Sequence, residues 1–224
     1  MLCAFKDGTK TMVEMTAMSN YTGLIPDVIG GHGPKTAPGT EGIKELNEIF
    51  KLKEDGGILN KHGVVEYVNG IAPGVFVTPN AEIAYQLGYH SMGPGPLWTL
   101  YRPYHLCNLE TPLSVARAVI EGDATCVAKD GLVSECITRA KIDLKAGQTI
   151  DGIGGYTTHG SIATAEESNA KGYVPFGLVT KNAVMKQDVK KGTLITYDMI
   201  DLDKTTLIYK LRKEQDAMYG RHVL

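Results

Sequence analysis

Gly93-Pro94-Gly95-Pro96-Leu97-Trp98-Thr99-Leu100-Tyr101-Arg102-Pro103-Tyr104-His105-Leu106-Cys107-Asn108-Leu109-Glu110-Thr111 sets four rigid or flexible backbone residues ahead of the chain's only tryptophan and a short apolar run. Pro94, Pro96 and Pro103 lack an amide donor and fix φ near −65°, so the stretch does not read as a helix interior. On an extended chain side chains alternate, which puts Arg102 and Tyr104 on one face and Tyr101, Pro103 and His105 on the other. An arginine fork, two phenols and an imidazole within five positions could hold a phosphate or carboxylate while a proton moves. The plainer alternative is an edge strand whose tyrosines and arginine reach into solvent and whose histidine bonds backbone.

Outward from that stretch, the totals are those of an ordinary globular protein. The 224 residues are 43% hydrophobic and 21% charged, enough for one large domain or two small ones with a real core. A formal net charge of −2 gives no support to a nucleic-acid or anionic-membrane partner. No apolar stretch approaches the ~20 residues of a membrane span, and the start lacks a secretory pattern, so a cytoplasmic location is expected. Cys3, Cys107, Cys126 and Cys136 have neither zinc-ligand spacing nor a disulfide framework.

In chain order, Met1 to Phe5 reads as a strand-like run. Asp7 then caps a helix with Met12, Met15 and Met18, or Val13 and Tyr21, on its buried face. Asn20 to Gly42 is rich in glycine and proline, the composition of a functional or mobile loop. Thr40 or Glu41 opens a helix with Ile43, Leu46, Ile49 and Phe50 on one side, ending near Asp55-Gly56-Gly57. Val64 to Val68 and Val75 to Thr78 read as strands and Asn80 to Leu87 as a short helix. Thr111 reads as the N-cap of a further helix, with Pro112 at its first position and Gly122 at its close.

After Gly122 the pattern turns to short β-rich runs with glycine turns. Asp143-Leu144-Lys145-Ala146-Gly147-Gln148-Thr149-Ile150 recurs 45 residues later as Asp188-Val189-Lys190-Lys191-Gly192-Thr193-Leu194-Ile195. Two copies suit a compact, pseudo-symmetric β-module. The tail from Lys210 reads as a partly frayed helix.

Three blocks together resemble a known family. They are Asp7-Gly8-Thr9-Lys10 with Glu14 and Asn20-Tyr21-Thr22-Gly23-Leu24; Gly93-Pro94-Gly95-Pro96 with Tyr101-Arg102-Pro103-Tyr104-His105-Leu106 and Glu110-Thr111-Pro112; and the Asp-Leu-Lys-Ala-Gly repeat with Tyr173-Val174-Pro175-Phe176-Gly177-Leu178 between its copies. They are similar to the deoxyxylulose-phosphate reductoisomerase-like (DRL) proteins, homoserine-dehydrogenase-like oxidoreductases that end in a SAF (β-clip) domain. The first two blocks span roughly residues 1 to 120, while the SAF pattern is looser.

The resemblance implies an α/β (α+β) catalytic and oligomerisation domain with an open sheet over residues 1–123. A small, mostly-β SAF domain would follow over 124–205, with a C-terminal tail over 206–224. It further implies an NAD(P)-dependent oxidoreductase, a reductoisomerase or homoserine-dehydrogenase-like enzyme, acting on a small anionic hydroxy-carbonyl compound and assembling as a homo-oligomer, commonly a dimer. In the family the dinucleotide sits on an N-terminal Rossmann domain. No Gly-X-Gly-X-X-Gly follows a strand and opens a helix in this sequence, so NAD(P) is expected to bind the full-length family protein and not this chain alone.

Carried over as catalytic or substrate-binding are Lys10, to polarise a carbonyl, Arg102, to hold a phosphate, and His105, to transfer a proton. Tyr101 and Tyr104 are assisting candidates, and His32, in Gly30-Gly31-His32-Gly33-Pro34, is a substrate-side candidate. Asp7, Glu14 and Glu110 could hold a divalent ion. Each position has a structural alternative: a surface Lys10–Glu14 helix pair, a core imidazole at His105, an Arg102 that bridges subunits. A non-enzymatic SAF-bearing module that binds a sugar or acid, or only assembles, is the rival reading of the whole chain.

Overall fold

The structure, a computed structural model, describes residues 2–71, 74–78, 84–90, 92, 95–104, 106–128 and 131–220. In chain order the helices are α1 (Leu2–Lys6), α2 (Thr9–Thr22), α3 (Thr40–Ile49), α4 (Ala84–Tyr89), α5 (Cys107–Ala116), α6 (Ala165–Lys171) and α7 (Leu207–Met218). The strands are β1 (Ile25–Pro26), β2 (Val64–Val65), β3 (Val75–Val77), β4 (Leu100–Arg102), β5 (Ser134–Ala140), β6 (Thr158–Thr164), β7 (Val184–Met185) and β8 (Ile200–Asp201). The result is mixed helix and strand with small, two-stranded open sheets. Among the described residues no helix is long and apolar enough to cross a membrane.

Two compact units form: residues 1–31 with 126–224, and residues 32–125. This division cuts across the expected 1–123 domain, and the reason lies in α2. Asp7 Oδ1 accepts the Thr9 N–H at 2.9 Å and starts the helix as its sequence suggests. Thr9 and Asn20 then tie both ends of α2 to the hairpin made by β5 and β6. Thr9 Oγ1 accepts the Gly160 N–H at 3.1 Å. Asn20 Oδ1 accepts from Val133 and Ser134 N–H at 2.7 and 3.0 Å, and its Nδ2 donates to the Ser134 carbonyl at 3.2 Å. Met12 and Met15 are buried between these anchors, whereas Val13 is exposed.

Within the first unit β5 and β6 pair antiparallel from Ser134↔Thr164 to Ala140↔Thr158. The octapeptide repeat beside them is not merely tandem: its two copies dock on each other. Leu144 and Val189 exchange N–H···O=C bonds at 2.8 and 2.9 Å. Asp188 accepts from Ala146 N–H and Lys145 Nζ, and Asp143 accepts in the same way from Lys191 N–H and Lys190 Nζ. Gly147 donates to Met185 O, and Gly192 to the matching Ala140 O, both at 2.8 Å. Each of these bonds has its mate 45 residues on, so the module has an approximate twofold axis. The core beneath it contains Leu144 and Val189 together with Ile150, Ile195, Met185 and Ala140.

In the second unit Leu46 and Phe50 of the α3 face pack with Leu59, and Phe50 stacks on Phe76 at 5.5 Å. Trp98 is 2% exposed. β3 and β4 pair antiparallel with Val75↔Arg102, Phe76↔Tyr101 and Val77↔Leu100.

Five local expectations change. α3 stops at Ile49, short of Asp55-Gly56-Gly57, where only a separate 3₁₀ turn, Lys53–Asp55, forms. Of the expected strand over Met1 to Phe5, the described residues from Leu2 on form α1 instead, and its last turn is closed by Asp7 N–H on Cys3 O. α5 starts at Cys107 rather than at Thr111, because the Glu110 carboxylate turns back to accept the Leu106 N–H at 2.9 Å. Pro112 therefore lies inside α5, and the helix runs on as a π-helical segment, Arg117–Glu121, to the expected stop at Gly122. The β-rich second half holds α6, capped by Thr164 on Glu167 N–H. Finally, α7 is ordered and docked: the largely enclosed Arg212 pairs with Glu135 and Asp216, an anchor that no local pattern displays. The expected helix over Asn80 to Leu87 is described only from Ala84 onward, and residues 80–83 lie outside the described residues.

Candidate functional site

The second unit holds most of the nominated side chains. Register places Arg102 on the exposed face of the β3–β4 hairpin with Val75, Val77 and Leu100, and Tyr101 on the opposite face with Phe76. The ring of Tyr101 lies against Gly74, where a Cβ would fall 2.7 Å from it. Arg102, 58% exposed, pairs through Nη2 with Glu110 Oε1. Its guanidinium carbon stands 5.9 Å from the centroid of the Tyr104 ring. Strand end, tyrosine and α5 are thus linked by one guanidinium, and an anionic ligand would share that fork with Glu110. His105 lies outside the described residues.

His32 opens the second unit, and its neighbourhood is more enclosed. Glu66 follows directly on β2, and its side chain is 4% exposed against 18% for His32. Oε1 of Glu66 accepts the His32 N–H at 2.9 Å and lies 3.1 Å from His32 Nδ1. Oε2 accepts from His32, Tyr67 and Gly33 N–H at 3.1, 3.3 and 3.4 Å. A carboxylate that collects backbone N–H groups in this way is fixed in place. Asn69 holds the other side of the loop, with Nδ2 on Gly33 O and its N–H on Pro34 O, both at 2.8 Å. Burial, and then the charge of Glu66, push the Tyr67 phenol above its usual range, so it stays protonated.

Gly33 is required where it stands. Its φ is +54°, and a Cβ there would fall 2.4 Å from the Tyr67 ring. A Gly33→Ala variant is expected to lose about 2 kcal/mol of stability from strain and overlap combined. Thermal denaturation measures it. In a Tyr67→Ala background the Gly33 change should cost less than it does alone, and a double variant whose loss equals or exceeds the sum of the two single losses would overturn the overlap account.

Lys10 belongs to the first unit. Its Nζ lies 3.5 Å from Glu14 Oε1, one helical turn on, and 4.5 Å from the centroid of the Phe5 ring. This is the surface-pair arrangement its spacing allows. A more buried cluster nearby escaped the sequence reading. Lys141 and Asp7 form an ion pair with side chains only 14% and 13% exposed. Lys141 Nζ also donates to Gly155 O at 2.5 Å and lies 3.6 Å from Cys3 Sγ. Burial raises the Asp7 pKa, but the hydrogen bonds from Lys141 and Thr9 outweigh it and leave the carboxyl below its usual range. His159 faces this group and pairs across the sheet with Arg139. Burial lowers its pKa, and its Nδ1 donates to Gly160 O at 3.0 Å. Nothing local in the sequence marks Lys141 or His159.

Among the described residues no three of His, Cys, Asp and Glu gather as a metal site requires. No disulfide joins the four cysteines. Burial raises the Cys136 thiol to about 12, so it is a packing residue rather than a nucleophile.

A search of curated proteins finds none that matches the chain. Residues 1–111, which run through α1, α2 and the greater part of the second unit, match the family model of the oxidoreductase DRL catalytic domain.

Proposed function

We propose that the chain carries the substrate-handling part of an NAD(P)-dependent oxidoreductase acting on a small phosphorylated or carboxylated hydroxy-carbonyl compound. The match of residues 1–111 to the DRL catalytic domain carries this reading. Reductoisomerisation of a ketose phosphate and homoserine-dehydrogenase-like reduction are the two forms of the chemistry the family suggests. Arg102 and Tyr104 supply a charged, planar contact for the anionic group, and His32 supplies proton exchange from an enclosed loop. Lys10 and His105 remain candidates for the carbonyl end, with Tyr101 assisting. The repeat-bearing module of residues 124–205 takes the part of the SAF domain, and the protein works in the cytoplasm.

The dinucleotide is assigned to the full-length family protein. Its pyrophosphate needs a glycine turn at a helix N-terminus, and no Gly-X-Gly-X-X-Gly occurs in the sequence. Fluorescence titration of this chain with NADPH should therefore show no saturable binding at micromolar concentration, and a micromolar Kd would overturn the assignment. The substrate class is tested by calorimetric titration with dihydroxyacetone phosphate and with homoserine. Arg102→Ala should weaken phosphate binding by tenfold or more, because a charge-assisted contact of ~2 kcal/mol is lost. Equal affinity in the variant would remove Arg102 from the site.

A homo-oligomer fits the same reading. Leu109 and Leu113 of α5, Val119 and Ile120 beyond it, and Val77 and Leu100 of the hairpin are exposed apolar side chains. They also favour the rival, a module that only assembles. Sedimentation with and without Leu113→Asp reports the oligomer, and the ligand titrations separate the two readings.

A further inference from the structure

We propose that Cys3 and Lys141 are the two ends of a redox-controlled covalent bridge: peroxide oxidises the Cys3 thiol to a sulfenic acid, and Lys141 Nζ condenses with it to a sulfenamide. Cys3 Sγ and Lys141 Nζ lie 3.6 Å apart, with Cys3 partly exposed and the Lys141 side chain 14% exposed. A thiol partly open to solvent admits the oxidant. An amine already in contact with the same sulfur then reaches the sulfenic acid before a second oxidant does. The inference is independent of the proposed oxidoreductase reading and calls on no ligand site.

The contact is held from both sides. Cys3 sits in α1, whose last turn is closed by the Asp7 N–H on the Cys3 carbonyl at 3.0 Å. Lys141 directly follows β5, and its own N–H donates to the Thr157 carbonyl at 2.9 Å. Its ammonium has three hydrogens and three partners: the Asp7 carboxylate, the Gly155 carbonyl at 2.5 Å and the Cys3 sulfur. Nζ is therefore kept against Sγ, while the lysine stem leaves it the torsional freedom to close on the sulfur.

The chemistry takes two steps. Peroxide first passes one oxygen to the thiol: S–H becomes S–OH, sulfur gives up two electrons to the O–O bond, and water leaves. Asp7, paired with Nζ, then takes one proton of the ammonium and frees its lone pair. That lone pair attacks the Cys3 sulfur, the S–N bond forms as the S–O bond breaks, and the hydroxide leaves as water with a second ammonium proton. The third hydrogen stays on nitrogen, where the Gly155 carbonyl already accepts. Ammonium and carboxylate lose their charges together, so no unpaired charge is left enclosed. A thiol reductant reverses the bridge by attack at sulfur, which returns the thiol and the amine.

The experiment is peptide mass mapping of the full chain after brief exposure to hydrogen peroxide at neutral pH, with dimedone as the trap for free sulfenic acid. The peroxide level is set by labelling at exposed Cys126, and Cys136, whose thiol burial pushes up to about 12, is the reference that stays reduced. The wild-type chain should yield a linked pair of peptides joining Cys3 to Lys141, lighter than their sum by two hydrogens and released by dithiothreitol, with no dimedone on Cys3. Lys141→Arg keeps a cation beside Asp7 but removes the amine, so the link should vanish and Cys3 should take dimedone instead. Dimedone or sulfinic acid on wild-type Cys3 without the link overturns the inference, and so does a Cys3 that stays reduced. A link that carries an extra oxygen overturns the condensation step. A link from Cys3 to another lysine, or one that forms equally in the urea-unfolded chain, overturns the part given to the folded contact.

Discussion

Trp98→Ala is expected to destabilise the protein by about 3–5 kcal/mol, the range for truncating a fully buried aromatic side chain. Trp98 is 2% exposed, and the chain is shaped around it. Gly95 has φ +74°, and a Cβ there would fall 2.3 Å from the indole ring. Truncation therefore leaves a space beside a turn that is fitted to the indole. Because Trp98 is the only tryptophan, its own fluorescence follows the wild-type transition, and circular dichroism must follow the variant. Trp98→Phe, which keeps an apolar ring, should recover more than half of the loss. A truncation that costs under 1 kcal/mol would show that the site is not packed as described.

Lys141→Met is expected to cost about 3 kcal/mol at neutral pH, because it leaves the Asp7 carboxylate buried without its counter-charge. The folded-state pKa of Asp7 lies below its ordinary value of 3.8, so the sign follows from proton linkage. The pair's contribution is complete above the unfolded pKa and is lost as the pH falls through the folded one. In the variant only the Thr9 hydrogen bonds are left to offset burial, so the Asp7 pKa should rise from where the pair holds it. The deficit is thus largest near neutrality and shrinks below about pH 4. Urea denaturation of both proteins across that interval measures it. A deficit that stays constant with pH would mean that Lys141 acts through its aliphatic stem alone.

The parts of the fold legible in the sequence were those fixed by near neighbours. The period of Leu46, Ile49 and Phe50 marks α3 because residues one helical turn apart share a face. Asp7 marks the start of α2, and Gly122 the end of the α5 region, through backbone groups within a few positions. The octapeptide repeat is visible by inspection, although its docking on itself is not. Even at short range a side chain can override the pattern: Pro112 suggested a helix start, but Glu110 had already capped the chain at Leu106.

Of the candidate site, the sequence by itself determined which side chains stand near one another along the chain: Arg102, Tyr104 and Glu110, and Lys10 with Glu14. Only the tertiary structure decided that residues 1–31 join the unit of residues 126–224, through Thr9 and Asn20. It alone paired His32 with Glu66, 34 positions away, and Asp7 with Lys141. The physical reason is common to all of these. Periodicity and capping act through neighbours within about four residues, and the sequence displays them. A buried carboxylate takes whichever donors the folded backbone brings to it, and no spacing in the chain records that choice.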